Sequence, residues 1–138
     1  MVTLITNDIS SEEYLYLREK VGWVKLSSRQ TKQAIEKSLF IVKAIDDEGN
    51  VIGMGRIVGD GAVICYIQDL VVIPEAQGKG VGSLIIDKLI SYVRSIKEDG
   101  TTMMLCLMCA KGREKFYEKH DFMARPTDSL GPGMIQYL

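Results

Sequence analysis

Residues Tyr66 to Val93 read YIQDLVVIPEAQGKGVGSLIIDKLISYV. The opening letters close a strand that begins at Ala62. β-Branched and apolar residues run to Ile73, and Pro74, with no N–H to give a ladder, stops them. From Ser83 to Lys97 apolar residues fall at Ile86, Leu89, Ile90, Val93 and Ile96, the spacing of one helix face. Between the two lies Gln77-Gly78-Lys79-Gly80-Val81-Gly82-Ser83. Any helix opens with unpaired N–H groups and about half a positive charge. Glycines at that point remove Cβ atoms and let a ligand approach the backbone. Strand, glycine-rich turn and amphipathic helix together predict an anion site, with a phosphate or pyrophosphate as its natural guest. A plain tight turn, its glycines serving packing alone, is the alternative that the flanking elements argue against.

Working outward, the elements alternate in type. Val2 to Ile5 reads as a strand, and Glu12 to Val21 as a helix capped within Asn7 to Ser11. A second helix is expected over Ser28 to Ser38, capped by Ser27 or Ser28. Leu39 to Ile45 and Val51 to Val58 are strands joined by Asp46-Asp47-Glu48-Gly49-Asn50, and Gly59-Asp60-Gly61 turns into the strand that ends at Ile73. Downstream, the apolar run Thr102 to Cys109 predicts a buried central strand. Lys111 to His120 predicts a short helix, and Phe122 to Ala124 and Met134 to Tyr137 are candidate strands. The order gives an α+β class: a meander of three antiparallel strands, then helix, strand, helix and strand.

Composition narrows the functions. The 138 residues are 46% hydrophobic and 25% charged, and 17 basic against 18 acidic side chains leave a net charge of −1. That fits one domain over residues 1–138, excludes a disordered chain, and gives no basic excess for a nucleic-acid partner. No apolar run reaches the roughly 18 residues of a membrane span. Met1 to Ser10 lack the pattern of a signal peptide, and three cysteines make no disulfide framework, so a cytoplasmic location is expected. Cys106 and Cys109 lie three apart on a predicted strand, on opposite faces, and read as buried free thiols; no metal site is expected.

The turn is not a Walker loop, which needs Gly-x-x-x-x-Gly-Lys-Ser/Thr, and this weakens a nucleotide-binding reading. Nor is it the dinucleotide fingerprint, because Ile85 stands where a glycine or alanine belongs. It does match Gln/Arg-x-x-Gly-x-Gly/Ala at Gln77, Gly80 and Gly82. With that match, the stretch from Tyr66 to Val93 resembles the cofactor-binding core of the GNAT acetyltransferase superfamily. A later landmark agrees: KFYEKHDF, Lys115 to Phe122, resembles the family's late helix with its tyrosine, although His120-Asp121 replace the usual Leu-Gly. The resemblance runs from Leu39 onward; the first 38 residues match in element order alone.

The resemblance implies a central, mostly antiparallel mixed sheet, splayed at the cofactor cleft and flanked by helices on both faces. It implies acetyl-CoA as the acetyl donor, held at Leu70, Val71 and Val72 by backbone groups and at Gln77, Gly78, Lys79, Gly80, Val81, Gly82 and Ser83 by the pyrophosphate loop. Tyr117 matches the tyrosine that protonates the departing CoA sulfur. The acyl group passes directly to an amine in a ternary complex, so no nucleophilic cysteine is expected. The small-molecule amine is the first expectation; a peptide or protein amine, or a CoA-binding module without turnover, are the alternatives. A homodimer fits, dimers being common in the family. For the base, Asp69 is the candidate, against a plain sheet-end carboxylate; His120 and Glu75 rank below it, and ordered water is a further choice. Trp23, between the first two helices, is the candidate acceptor wall or a packing residue. Lys111 and Arg113 are near enough in sequence to meet the 3′-phosphate, a solvated helix start being the alternative; Asp128 and Asp60 are carboxylates that could meet a cationic amine, with nothing in the sequence to choose between them. Ala110 falls where many members carry a CoA-contacting asparagine.

Overall fold

Two carboxylates close the meander. Asp46 Oδ1 accepts the N–H groups of Glu48 and Asn50 at 2.9 Å, and Asp60 Oδ1 accepts those of Ala62, Val63 and Ile64 at 2.8–3.0 Å. These backbone donors hold both carboxyl groups below the ordinary carboxylate range. The turns join β2 (Phe40–Ile45), β3 (Val51–Gly59) and β4 (Ile64–Val72). β1 (Thr3–Thr6) adds to one side of this meander and β5 (Met104–Leu107) to the other, so the sheet runs β1-β2-β3-β4-β5. Every pair is antiparallel except β4–β5, which is parallel. The computed structural model describes residues 1–138.

Four helices complete the chain: α1 (Ser11–Lys20), α2 (Ser28–Glu36), α3 (Val81–Ile96) and α4 (Glu114–Glu118). The first two start at capping boxes, Ser10 with Glu13 and Ser27 with Gln30, each side chain satisfying the other residue's N–H. Side-chain alternation sorts the helices onto opposite faces. Gly53 and Gly55 of β3 face α3; Met54 and Arg56 face away from it, toward α1. Gly55 is required for the fit: a Cβ there would meet Ile85 Cγ2 and Leu89 Cδ1 at 2.7 Å. The core follows this layering, with Val42, Ile57, Ile85, Ile86 and Leu89 fully buried on the α3 side and Tyr14, Leu17 and Met54 toward α1. No helix is long and apolar enough to cross a membrane.

β4 is divided in two. Its first half pairs with β5 from Ile64↔Met104 to Ile67↔Leu107, and there the parallel ladder stops. Opposite β3 the register slips between Arg56 and Ile57, which pair with Asp69 and Ile67, so Gln68 is an extra, bulged residue. A bulge bends its strand and strengthens the local twist. Beyond it, Asp69 to Val72 keep their β3 partners but have none on the other side. This is the splay that the family resemblance implies.

The structure corrects four expectations downstream. Thr102 to Cys109 does not make a central strand: only Met104–Leu107 pair, and β5 is the sheet's edge, with Met104 51% exposed. An apolar run states a wish to be covered, not how many neighbours supply the cover. Phe122 to Ala124 and Met134 to Tyr137 form no strands. The late helix is five residues long rather than spanning Lys111 to His120. Cys109 is exposed rather than buried, and Cys106 is half-buried; both are free thiols.

Candidate active site

The open half of β4, the turn after it and the first turn of α3 bound a cleft of about 700 Å³. Pro74–Ala76 makes one 3₁₀ turn, which swings the chain off the sheet. Gly78 and Gly80 then take φ angles of +75° and +83°, a left-handed region that a side chain resists. Nothing lies within 4 Å of where either Cβ would stand, so the backbone faces open space. From Gly78 to Ser83 no N–H donates to a backbone carbonyl, while Leu84 already closes onto Gly80. The N-terminus of a sixteen-residue helix therefore offers a run of free donors with the macrodipole behind them.

Most of the sequence-predicted residues meet here. Leu70, Val71 and Val72 form one wall, and Gln77, Gly78, Gly80, Val81, Gly82 and Ser83 form the adjoining rim. Lys79 is exposed and is not one of the residues that line the cleft. Gln77 spends its amide on the protein: Nε2 donates to the Val72 carbonyl at 2.9 Å, and Oε1 lies 3.5 Å from Arg113 Nη2. Tyr117 stands across the cleft. Its ring packs edge-on against Phe116 at 5.0 Å and Phe122 at 5.9 Å. Burial first, and the Cys109 thiol second, push its hydroxyl up to about 12. Phe116 also seats α4, its ring lying 3.4 Å from where a Gly82 Cβ would be.

Trp23 lines the far end with Lys20 and Val21 from the end of α1. Arg18 holds this corner. Its guanidinium lies 5.3 Å from the Trp23 ring centre and donates to the Val24 carbonyl at 2.9 Å. Arg113 and Ala110 complete the opposite end; Lys111 does not reach it. The charged side chains of the lining, Lys20 and Arg113, are both cations. Nowhere in the molecule do three His, Cys, Asp or Glu side chains gather.

The carboxylate and imidazole candidates stand apart from the cleft. Asp69 has a 1% exposed side chain; its Oδ2 accepts both the Tyr14 hydroxyl and Arg56 Nε at 2.6 Å, and its Oδ1 lies 3.8 Å from Arg18 Nη1. Burial, then the Asp69 charge, push the Tyr14 hydroxyl up to about 12. Glu75 pairs with Lys20 and is held below its ordinary range. His120 is docked: its ring reaches Asp87 at 3.0 Å and Ser83 Oγ at 3.4 Å, both on α3. Asp60 is consumed by its turn, and Asp128 lies on the exposed loop before Leu130.

Sequence reading overlooked Tyr14, Arg18 and Arg56 as Asp69's partners, and Lys20 and Val21 as lining. One signal was present: Arg56 is a lone charge in the apolar strand Val51 to Val58, and such a residue needs a buried counter-charge.

Comparison with known proteins agrees with the geometry. The acetyltransferase (GNAT) domain profile matches residues 36–124. An uncharacterised N-acetyltransferase, ycf52, from Pyropia yezoensis is 30% identical over 127 residues, covering 90% of this chain and 71% of the relative. A solved GNAT-family acetyltransferase from Streptococcus pneumoniae is 28% identical with a TM-score of 0.83, covering 100% of this chain and 98% of its own. A solved protein of unknown function from meticillin-resistant Staphylococcus aureus is 30% identical with a TM-score of 0.85, covering 99% and 100% respectively.

Proposed function

The chain belongs to the GNAT acetyltransferase family, and from that premise we propose that it moves the acetyl group of acetyl-CoA onto a primary amine of a small molecule, by direct attack within a ternary complex. The observation that carries this reading is the run of free N–H groups from Gly78 to Ser83 in the same cleft as the Tyr117 hydroxyl. Acetyl-CoA supplies an activated thioester when bound. Its pyrophosphate calls for fixed donors and closely approachable backbone, which the turn has, and Arg113 adds a cation beside them. The edge of Leu70 to Val72 is unpaired on the cleft side and would hold the amide-bearing arm through its backbone groups.

Tyr117 is the acid of this scheme. Its pKa of about 12 keeps the proton in place throughout the working range. A thiolate leaving beside it would lose the same water and become a stronger base as the phenol becomes a weaker acid, so the proton affinities of the two would rise together and remain matched. The base is not a side chain of the cleft. Asp69 is committed to Tyr14 and Arg56 and serves as a positioning residue, anchoring the strand half that lines the cleft. The amine therefore enters neutral, having given its proton to solvent, and Trp23 flanks its carbon skeleton.

The test is thiol release from acetyl-CoA over a panel of small amines and short peptides, with Tyr117→Phe beside the wild type. The expected result is turnover on small amines that falls about a hundredfold or more in the variant, with acetyl-CoA affinity nearly unchanged by calorimetry. Tight binding without turnover on any amine would instead favour a sensing module. Turnover on peptides alone would move the acceptor class.

A further inference from the structure

Trp23 is the chain's one tryptophan, and the way α1 ends delivers it to the cleft. Gly22 takes a φ of +74°. Its N–H donates to the Glu19 carbonyl, and the Trp23 N–H to the Arg18 carbonyl, both at 3.0 Å. These two bonds are the Schellman closure of a helix, which sets the second residue past the cap against the last turn. An apolar pair commonly fills that contact. Here it is Arg18 and Trp23, with the guanidinium carbon 5.3 Å from the ring centre. Arg18 Nη2 reaches on to the Val24 carbonyl at 2.9 Å, so one residue ties the backbone on both sides of the tryptophan.

The charge on Arg18 is incompletely answered. Its one carboxylate neighbour within 4 Å is Asp69, at 3.8 Å, and Asp69 is already paired with Arg56 at 2.6 Å. Two guanidiniums therefore share one carboxylate, the Tyr14 hydroxyl is neutral, and one positive charge is left over. The Arg18 side chain is 13% exposed and its Nε is buried without a hydrogen-bond partner, so water screens this charge poorly. The far end of the cleft adds nothing negative: Lys20 is bridged to Glu75, and no Asp or Glu lines the cleft. A tryptophan face is ordinarily a favoured seat for a cation. This ring already has a fixed one.

We propose that Arg18 is a positioning residue that sets acceptor specificity: it seats Trp23 and makes that end of the cleft select an uncharged amine over its ammonium form. The proposal rests on the acetyl-transfer reading above. The nitrogen attacks with a free lone pair, and no carboxylate of the lining can take its proton. An ammonium held at Trp23 would be a dead-end occupant. For an alkylamine with a pKa near 10 it outnumbers the free amine at pH 7 by about a thousandfold. A wall that rejects the cation leaves the site open to the scarce, reactive species. Di- and polyamines are disfavoured on the same ground, because their second ammonium finds no counter-charge. The acceptor class narrows to monoamines with an uncharged skeleton.

The experiment uses Trp23 as its own reporter. Iodide and caesium quench its emission at matched ionic strength, in the wild type, Arg18→Met and Arg18→Lys. A fixed cation beside the ring gathers iodide and turns caesium away. The iodide-to-caesium ratio of quenching constants should fall about threefold in Arg18→Met and hold in Arg18→Lys. This arm needs neither acetyl-CoA nor turnover. The second arm follows thiol release on the best monoamine of the panel, with butyltrimethylammonium as a cation that cannot be acetylated. Its inhibition constant should fall about threefold or more in Arg18→Met and keep its wild-type value in Arg18→Lys. Butanesulfonate, of opposite sign, should bind more weakly in Arg18→Met. A merely structural loss would lower the melting temperature and move both probes the same way. Arg18→Gln makes the same comparison if Arg18→Met does not fold. A wild-type quenching ratio equal to that of N-acetyltryptophanamide, a ratio that survives loss of the charge, or cation inhibition no stronger without it would overturn the proposal. If no amine turns over, acetyl transfer itself fails as a reading. The butyltrimethylammonium titration, followed on Trp23 emission, then still decides whether Arg18 rejects cations.

Discussion

Asp69 carries a charge that 1% side-chain exposure would forbid if it stood alone. Tyr14 and Arg56 offset the lost water, and Arg18 adds a weaker contribution at 3.8 Å. Asp69→Asn should therefore cost about 3–5 kcal/mol, because it leaves Arg56 buried without its counter-charge. Urea unfolding checks this. The same cluster sets an alkaline limit. The folded protein holds the Tyr14 proton to about 12, whereas an unfolded tyrosine releases it near its ordinary value of 10. The stabilisation is complete below pH 10 and is lost as pH rises toward 12, at up to about 1.4 kcal/mol per pH unit. Tyr117, raised to the same value, adds to the loss. Tyr14→Phe should flatten that limb of stability against pH, measured by thermal melts from pH 8 upward. At this scale the sequence marked Asp69 as unusual but not its role. A carboxylate within a strand looks the same in one dimension whether it faces substrate or three partners drawn from distant segments.

The elements that build the cleft were legible where local chemistry writes them. Serine caps, turn aspartates and the glycine run after Pro74 each fix a boundary by hydrogen bonds within a few residues, and the structure keeps them. The last third was less legible. Apolar letters at Met104 to Met108 and Met134 to Tyr137 promise strands, but a strand is completed by a neighbour that the segment itself does not encode. The late helix shows the remedy for a short element. Five residues cannot hold a helix on propensity alone, so α4 relies on docking. Phe116 seats it at Gly82, and His120 ties its far end to Asp87 and Ser83. His120→Ala should release that end and let Tyr117 drift. The expectation is a fall in kcat of about tenfold to a hundredfold, with acetyl-CoA affinity changing less. Stopped-flow turnover and calorimetry separate the two. A purely structural loss would lower the melting temperature and leave kcat per folded molecule intact.

Across the whole molecule, charge is arranged rather than accumulated. The chain is nearly neutral at −1, and Glu75 neutralises Lys20 at the cleft, yet Arg113 has no carboxylate partner there and the free donors of Gly78 to Ser83 add to its charge. A local positive field in a neutral protein should act on phosphates over about one screening length, roughly 8–10 Å. Coenzyme A affinity should fall as salt rises, while that of pantetheine, which lacks the phosphates, should change little. Parallel titrations at low and high salt test this. The gross topology could be read in advance because the meander's turns and the strand–turn–helix unit leave few ways to connect them.

The bulge at Gln68 carries a consequence for how this chain can change. Cys65, Ile67, Asp69 and Val71 are buried at every second position, an unbroken rhythm in the sequence. Yet Ile67 pairs with Ile57, on the face of Gly55, whereas Asp69 pairs with Arg56, on the face of Tyr14. The extra residue reverses the phase of the strand at its midpoint, so identical letters mean opposite directions on its two sides. Removing one residue there would aim Asp69 at α3 and turn Leu70 and Val72 away from the glycine turn, with every side chain still present. Substitutions in this half-strand can be graded by size and polarity; a change in length cannot. Insertions and deletions accepted during divergence must therefore fall elsewhere, and the spacing from Gln68 to Gly80 behaves as a ruler rather than as a tether.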